Sequence, residues 1–128
     1  MSESMEKARA LRADPSVHYN CFQATLLPFS ERCGIDGGTA FRAGTFFGMG
    51  MRCGATCGAV TGALMALGLA GAGDGASRAL MEAFRAKNGS LECAELLRKA
   101  QENGENRKCH CDRMVFDAVE ITEALLEK

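Results

Sequence analysis

What this sequence lacks narrows the classes of protein that it can encode. It has no excess of one charge, since 15 lysines and arginines stand against 16 acidic residues spread along the chain. A nucleic-acid-binding surface needs clustered basic residues, so we expect no nucleic-acid partner. The charged first residues hold no apolar stretch of the kind that a secretory signal needs, and we therefore expect a cytoplasmic protein.

The sequence also lacks a long apolar run of the membrane-spanning kind. Its longest apolar run, residues 57–72, covers about 16 residues and is rich in glycine and alanine. A transmembrane helix needs about 20 consecutive, mostly larger apolar residues. We expect a buried helix here and no membrane partner.

Strand signals are almost absent, whereas helix signals recur along the chain. Asn20 and Gln23 have the spacing of a capping box at the start of a helix. Near the end of the chain, one helical face is apolar: Met114, Ala118, Ile121 and Leu125. The 128 residues suffice for one domain with its own core. We predict an all-α single domain over residues 1–128, a compact bundle of six or seven short helices around a buried, glycine-rich central helix.

Small residues recur every fourth position in the predicted central helix, at Gly54, Gly58, Gly62 and Ala66. A glycine inside a helix costs about 1 kcal/mol relative to alanine, so three in register need a structural reason. The spacing predicts close approach of another helix or of a symmetry mate, and a homodimer is therefore a candidate assembly. The lysine-containing phosphate-binding loop pattern is absent, so the glycines do not indicate a nucleotide site.

Cysteine is abundant, and its pattern favours chemistry over structural disulfides. The seven cysteines are Cys21, Cys33, Cys53, Cys57, Cys93, Cys109 and Cys111. An odd number without an export signal is typical of metal-binding or redox-active cysteines in a reducing compartment. We interpret Cys33, next to Gly34, as a small buried side chain.

Four cysteines share a position at predicted helix starts: Cys21, Cys57, Cys93 and Cys111. The predicted caps are Asn20, Ser90 and Asp112. A helix N-terminus favours the thiolate by up to about 2 kcal/mol, which lowers a cysteine pKa from about 8.5 to about 7. If these helix ends converge, several thiolates cannot share the pocket uncompensated, because like charges raise each other's pKa. The pocket must then hold protons, disulfides or a cation.

Two local spacings suit metal binding better than disulfides. Cys53 and Cys57 are four residues apart, so inside one helix their Cβ atoms would lie about 5–6 Å apart, too far for a relaxed disulfide. Cys109 and Cys111 flank His110, and this trio could bend around a metal. Neither spacing matches the common zinc knuckles. Cys53, Cys109 and His110 are therefore weaker candidate ligands, and no haem-attachment motif is present.

Together these cysteines and their surroundings resemble a known family. The resemblance lies in Asn20-Cys21, in residues 48–65 around Cys57, and in Cys93 and Cys111. It covers about residues 17–122 and indicates the family of redox-active proteins named for a C-GCAxxG-C-C cysteine signature. By position, the signature cysteines are Cys21, Cys57, Cys93 and Cys111. The family name writes glycine before its central cysteine, whereas Gly58 follows Cys57 here, so Cys53 is a second candidate for that position.

The resemblance implies redox activity through the signature cysteines. Some members are similar to the split-Soret cytochromes, whose related region is associated with an iron–sulfur centre beside the haems. This chain has no haem-attachment motif, so we expect no covalent haem. An iron–sulfur cluster or zinc is the cofactor that the resemblance leaves open.

Three functions remain as hypotheses. The first is thiol–disulfide exchange or electron transfer, of the oxidoreductase type, in which Cys57 or Cys21 attacks and another signature cysteine resolves. The second is a metal-binding protein that holds an iron–sulfur cluster or zinc with the same four cysteines. The third is a helical dimerisation module with incidental cysteines. We place redox chemistry first, with an unidentified redox partner.

Overall fold

The computed structural model describes residues 2–127, and helices account for nearly all of its regular structure. Seven α-helices follow one another along the chain: α1 (Glu3–Ala13), α2 (Cys21–Ser30), α3 (Gly37–Ala43), α4 (Gly58–Leu69), α5 (Asp74–Asn88), α6 (Cys93–Glu102) and α7 (Arg107–Leu126). Among the described residues, the only strand-like pairing is one isolated antiparallel bridge between Thr56 and Glu92. The predicted all-α class is confirmed.

Helix α4 is the central element, as the sequence predicts. It packs against α2, α5 and α7. Seven of its residues are buried: Gly58, Ala59, Val60, Gly62, Ala63, Ala66 and Leu67. Because almost every face of α4 is apolar and small, neighbouring helices cover most of it, and only Met65, Gly68 and Leu69 near its end are exposed.

The glycines of α4 bring its backbone against that of α2. A Cβ atom added to Gly62 would lie 2.8 Å from the backbone oxygen of Phe22, and one added to Gly58 would lie 3.0 Å from the backbone oxygen of Phe47. Helix packing is therefore the reason for these two glycines. The helical face that they form is covered by α2 of the same chain, so it lends no support to a homodimer. Gly54 was wrongly included in the series, because it precedes α4 and has a left-handed φ of 73°.

The capping box predicted at the start of α2 is confirmed. Gln23 donates its N–H to Asn20 Oδ1 at 2.8 Å, and Asn20 donates its N–H to Gln23 Oε1 at 2.9 Å. Helix α2 ends at Ser30, and Gly34, with a φ of 78°, closes the turn that follows.

Two predicted caps are wrong. Helix α7 begins at Arg107, not after Asp112, because the side chain of Asn106 accepts the N–H of Cys109 and so caps the helix six residues earlier. Helix α6 begins at Cys93 with Glu92 as its cap, while Ser90 accepts the N–H of Glu92 in the preceding turn. Cys93 therefore opens its helix, whereas Cys111 lies in the second turn of α7.

The chain between α3 and α4 contains a tight turn, Gly50–Gly54, with left-handed backbone. Met49, Met51 and Arg52 have φ values of 55°, 58° and 62°. Such a conformation costs about 1–2 kcal/mol for a residue other than glycine. Gly50 is also left-handed, and a Cβ there would lie 2.8 Å from Cys93 Cβ. The turn thus packs directly over the start of α6.

Within residues 2–127, no helix combines the length and apolar character that crossing a bilayer requires.

Candidate functional site

Four cysteines from four helices come together on one side of α4. Cys21 interacts with Cys111 and Cys57, while Cys57 interacts with Cys93 and Cys111. Cys93 in turn is close enough to Cys111 for the thiolate charge to raise its pKa. We refer to these four residues, Cys21, Cys57, Cys93 and Cys111, as the thiol cluster. All four are free thiols.

A short backbone bridge brings Cys57 and Cys93 together. The N–H of Cys57 donates to the carbonyl of Leu91 at 2.8 Å, and the N–H of Cys93 donates to the carbonyl of Ala55 at 2.7 Å. These bonds join the start of α4 to the start of α6. Both side chains are buried, with exposed fractions of 4% and 9%. Cys57 and Cys93 therefore form the inner half of the cluster.

Cys21 and Cys111 form the outer half. Cys21 is the first residue of α2, and its position is fixed by Asn20, whose side-chain amide also donates to the carbonyl of Gly44 at 2.8 Å. Cys111 lies in the second turn of α7. Both side chains are partly exposed. Their contact links the N-terminal ends of two helices that are distant in sequence.

The two outer thiols have opposite acidities. A hydrogen bond from Cys21 is the largest cause that lowers the pKa of Cys111, to about 6, and the cations Arg12 and Arg107 add to it against the cost of burial. The same hydrogen bond, together with burial, raises the pKa of Cys21 well above its usual value. At neutral pH the pair therefore consists of a Cys111 thiolate that accepts a hydrogen bond from the Cys21 thiol.

The inner thiols are held in their protonated form. Burial raises the pKa of Cys57 to about 12, although the N–H groups of Ala59 and Val60 act in the opposite direction. Burial also raises the pKa of Cys93. The prediction that Cys57 or Cys21 carries the low pKa is therefore wrong. For Cys57 the cause is desolvation, which outweighs the favourable effect of the helix N-terminus, whereas for Cys21 the largest cause is its hydrogen bond to Cys111.

A buried arginine that no sequence pattern singles out supports the thiolate. The Arg12 side chain is only 8% exposed and donates from Nε to Asp112 at 2.6 Å. A second donor of its guanidinium binds the carbonyl of Tyr19 at 2.8 Å. Lys108 Nζ donates to the same aspartate at 3.0 Å and to the carbonyl of Arg12 at 3.1 Å. This network ties the end of α1 to the start of α7 beside Cys111.

The outer thiols open onto a cleft of about 770 Å³. Its walls are the end of α1, the connecting residues 14–20, and the start of α7. Cys21 and Cys111 both line it, as do Arg12, Arg107 and Lys108. This volume lies in the range of small-molecule sites, so the Cys111 thiolate is accessible to a small reactant.

The remaining sulfur and imidazole candidates lie outside the cluster. Cys53 and Cys109 are exposed. Cys33 is partly buried against the core and donates to the carbonyl of Ala66 at 3.5 Å. His110 is buried, lines a separate cavity of about 160 Å³ and lies 3.8 Å from the Glu105 carboxylate. Among residues 2–127, its Nδ1 has no hydrogen-bond partner. Burial lowers its pKa.

The cluster does not have the arrangement of a metal cage. Within the described part of the chain, no three cysteine, histidine or acidic side chains are positioned to bind a common metal ion. Four thiolates bound to zinc or to an iron–sulfur cluster would have to converge on a single centre. The side chains as placed instead form a hydrogen-bonded outer pair and a buried inner pair, which do not fit either group.

Taken together, the fold and the site define a small helical protein with a cluster of free thiols beneath an open cleft. The chain belongs to the family described as "Putative redox-active protein (C_GCAxxG_C_C)", whose family model matches residues 19–125. This confirms the resemblance inferred from the cysteine pattern. Comparison with curated proteins gave no match, and comparison with solved structures gave none either.

Proposed function

We propose that this redox-active protein carries out thiol–disulfide exchange, with Cys111 as the attacking thiolate and Cys21 as the resolving thiol. The observation that carries the proposal is the contact of these two side chains at the wall of one cleft, with Arg12 beside them. A thiolate with a pKa close to the ambient pH is the most effective attacking group, because it is ionised and still nucleophilic.

The exchange proceeds in two balanced steps. The Cys111 thiolate attacks one sulfur of a disulfide substrate, forms a mixed disulfide, and releases the other half as a thiolate. Cys21 then loses its proton to that leaving thiolate and attacks Cys111 Sγ, which expels the second half. The protein dithiol is oxidised to one disulfide while the substrate is reduced to one thiol and one thiolate, which takes its proton from water. A second dithiol returns the protein to its reduced state by the reverse steps.

The inner thiols have a different role in this proposal. Cys57 and Cys93 are buried and protonated, so they react slowly with a solvent-borne reagent. Their closeness to Cys111 makes them the sites to which a disulfide could transfer after the outer pair is oxidised. We therefore regard the four signature cysteines as one redox unit in which Cys111 is the point of entry.

The test is equilibration with mixtures of reduced and oxidised dithiothreitol, followed by acid quenching, alkylation and peptide mapping. A Cys53→Ser/Cys109→Ser background removes the two exposed thiols without touching the cluster. We expect a bond between Cys21 and Cys111 to be the first disulfide formed. A first disulfide between any other pair would contradict the assignment of Cys111 and Cys21. Stoichiometric metal in anaerobically purified protein would favour the metal-binding function.

A further inference from the structure

The cleft beside Cys111 has an uneven charge distribution that indicates the kind of disulfide it accepts. Its cationic groups are Arg12, Arg107 and Lys108, and the one acidic residue on its wall is Asp14. Arg12 and Lys108 share the carboxylate of Asp112. Arg107 differs from both, because among residues 2–127 it forms no ion pair, and its side chain is exposed.

In the resting protein, the partner of Arg107 is the thiolate itself. Arg107 and Cys111 line the same cleft, and the positive charge of Arg107 lowers the pKa of Cys111 and so favours the ionised thiol. Attack on a disulfide removes this negative charge, because Cys111 Sγ becomes one half of a neutral mixed disulfide. Arg107 is then left without the anion beside it. A substrate that carries its own carboxylate close to the reacting sulfur would replace the lost charge.

We propose that the substrate class is a low-molecular-mass disulfide bearing carboxylates, and that Arg107 is the residue that selects it. This inference rests on the proposed exchange activity. The cleft of about 770 Å³ accommodates a molecule of this size beside the two thiols. Its apolar wall, which includes Leu11, Val17 and Tyr19, can contact the hydrocarbon part of the substrate. Arg107 attracts the carboxylate and orients the sulfur toward Cys111, whereas Lys108 is paired with Asp112.

The test compares three symmetric disulfides of similar size and different charge with the reduced protein. They are dithiodipropionate with two carboxylates, hydroxyethyl disulfide without charge, and cystamine with two ammonium groups. Each rate constant is divided by the rate constant for the uncharged thiol 2-mercaptoethanol with the same disulfide, which removes the intrinsic reactivity of the probe. We expect the normalised rate for dithiodipropionate to exceed that for cystamine by at least about tenfold at low salt. The preference should shrink as ionic strength rises.

Two variants separate the charge preference among the probes from the effect of Arg107 on the pKa of Cys111. Arg107→Gln should slow the reaction with all three probes, because it raises the pKa of Cys111 and lowers the ionised fraction of this thiol. The variant should also abolish the preference for the carboxylate-bearing probe. The matched control is Arg98→Gln, which changes an exposed arginine that pairs with Glu102 and does not line the cleft. We expect this control to keep both the rates and the preference.

The outcomes distinguish this inference from the proposed function. Equal normalised rates for the three probes, or a preference that survives Arg107→Gln, would overturn the carboxylate selection while leaving the exchange activity in place. If no probe reacts faster with the protein than with 2-mercaptoethanol, both the exchange activity and the selection are refuted.

Discussion

The acidity of Cys111 depends chiefly on one neighbour, so replacing that neighbour should change it measurably. We predict that Cys21→Ala raises the pKa of Cys111, because the variant removes the hydrogen bond that is the largest cause of its low value of about 6. A hydrogen bond to a charged group contributes about 1.5–3 kcal/mol. At 1.36 kcal/mol per pKa unit, the expected rise is about 1–2 units. The ionised fraction at pH 7 would fall from about 90% to between about 10% and 50%.

A matched variant separates the effect of the hydrogen bond on the pKa of Cys111 from the effect of losing the Cys21 sulfur atom. Cys21→Ser removes the redox chemistry in the same way but keeps a hydroxyl donor at nearly the same position. We therefore expect the pKa of Cys111 in Cys21→Ser to lie between those of the parent and Cys21→Ala. Neither change affects the capping box, since Asn20 and Gln23 form it with their own side chains and backbone.

The assay is the pH dependence of alkylation by iodoacetamide, read at Cys111 by peptide mass spectrometry. The Cys53→Ser/Cys109→Ser background avoids competition from the exposed thiols. In the parent, the rate should rise with a midpoint near pH 6 and level off above pH 7. The reasoning is refuted if the midpoint in Cys21→Ala stays near pH 6, or if the parent itself titrates near the ordinary value of about 8.5.

Three further perturbations test the packing and the electrostatics. Gly62→Ala should lower the free energy of unfolding by about 1–3 kcal/mol, because its Cβ would meet the Phe22 backbone. Gly68→Ala, on the same helix with open space around it, should raise that free energy by about 0.5–1 kcal/mol. Equal denaturant midpoints for the two variants would contradict the packing account. Arg12→Gln should raise the pH midpoint for alkylation of Cys111 by about one unit. An unchanged midpoint would show that Arg12 does not stabilise the Cys111 thiolate. Oxidation to a Cys21–Cys111 disulfide closes a loop of about 90 residues and should raise the free energy of unfolding by up to about 4–5 kcal/mol. An oxidised form that unfolds at the same denaturant midpoint as the reduced form would argue against that disulfide.

Local patterns in the sequence predicted much of the fold. The capping box at Asn20 and the central helix each depend on residues close together in the chain. The wrong caps at Ser90 and Asp112 have one shared cause, since several residues of the region could cap a helix and tertiary contacts decide among them. Asp112 is used instead by Arg12 and Lys108, which no local pattern reveals.

The identity of the reactive thiol could not be predicted from the sequence for a related reason. Placement at a helix start made Cys57 and Cys111 look equivalent, but the pKa of a thiol depends on how deeply it is buried and on which charges reach it. Cys57 is buried at the centre of the fold, whereas Cys111 lies beside an arginine about a hundred positions away in the sequence. Basic residues next to the cysteines in sequence gave a partial signal, because Arg107 does contact Cys111.

The central claim is that Cys111 attacks and Cys21 resolves, and trapping the mixed disulfide tests it most directly. Reduced Cys21→Ala protein in the Cys53→Ser/Cys109→Ser background is mixed with a small excess of the chromogenic disulfide dithiobis(nitrobenzoate). The account predicts rapid release of one equivalent of thionitrobenzoate and a stable adduct on Cys111, whereas protein with Cys21 intact releases two equivalents and retains no adduct. An adduct on Cys57 or Cys93, or rapid release of two equivalents by the Cys21→Ala protein, would contradict the account.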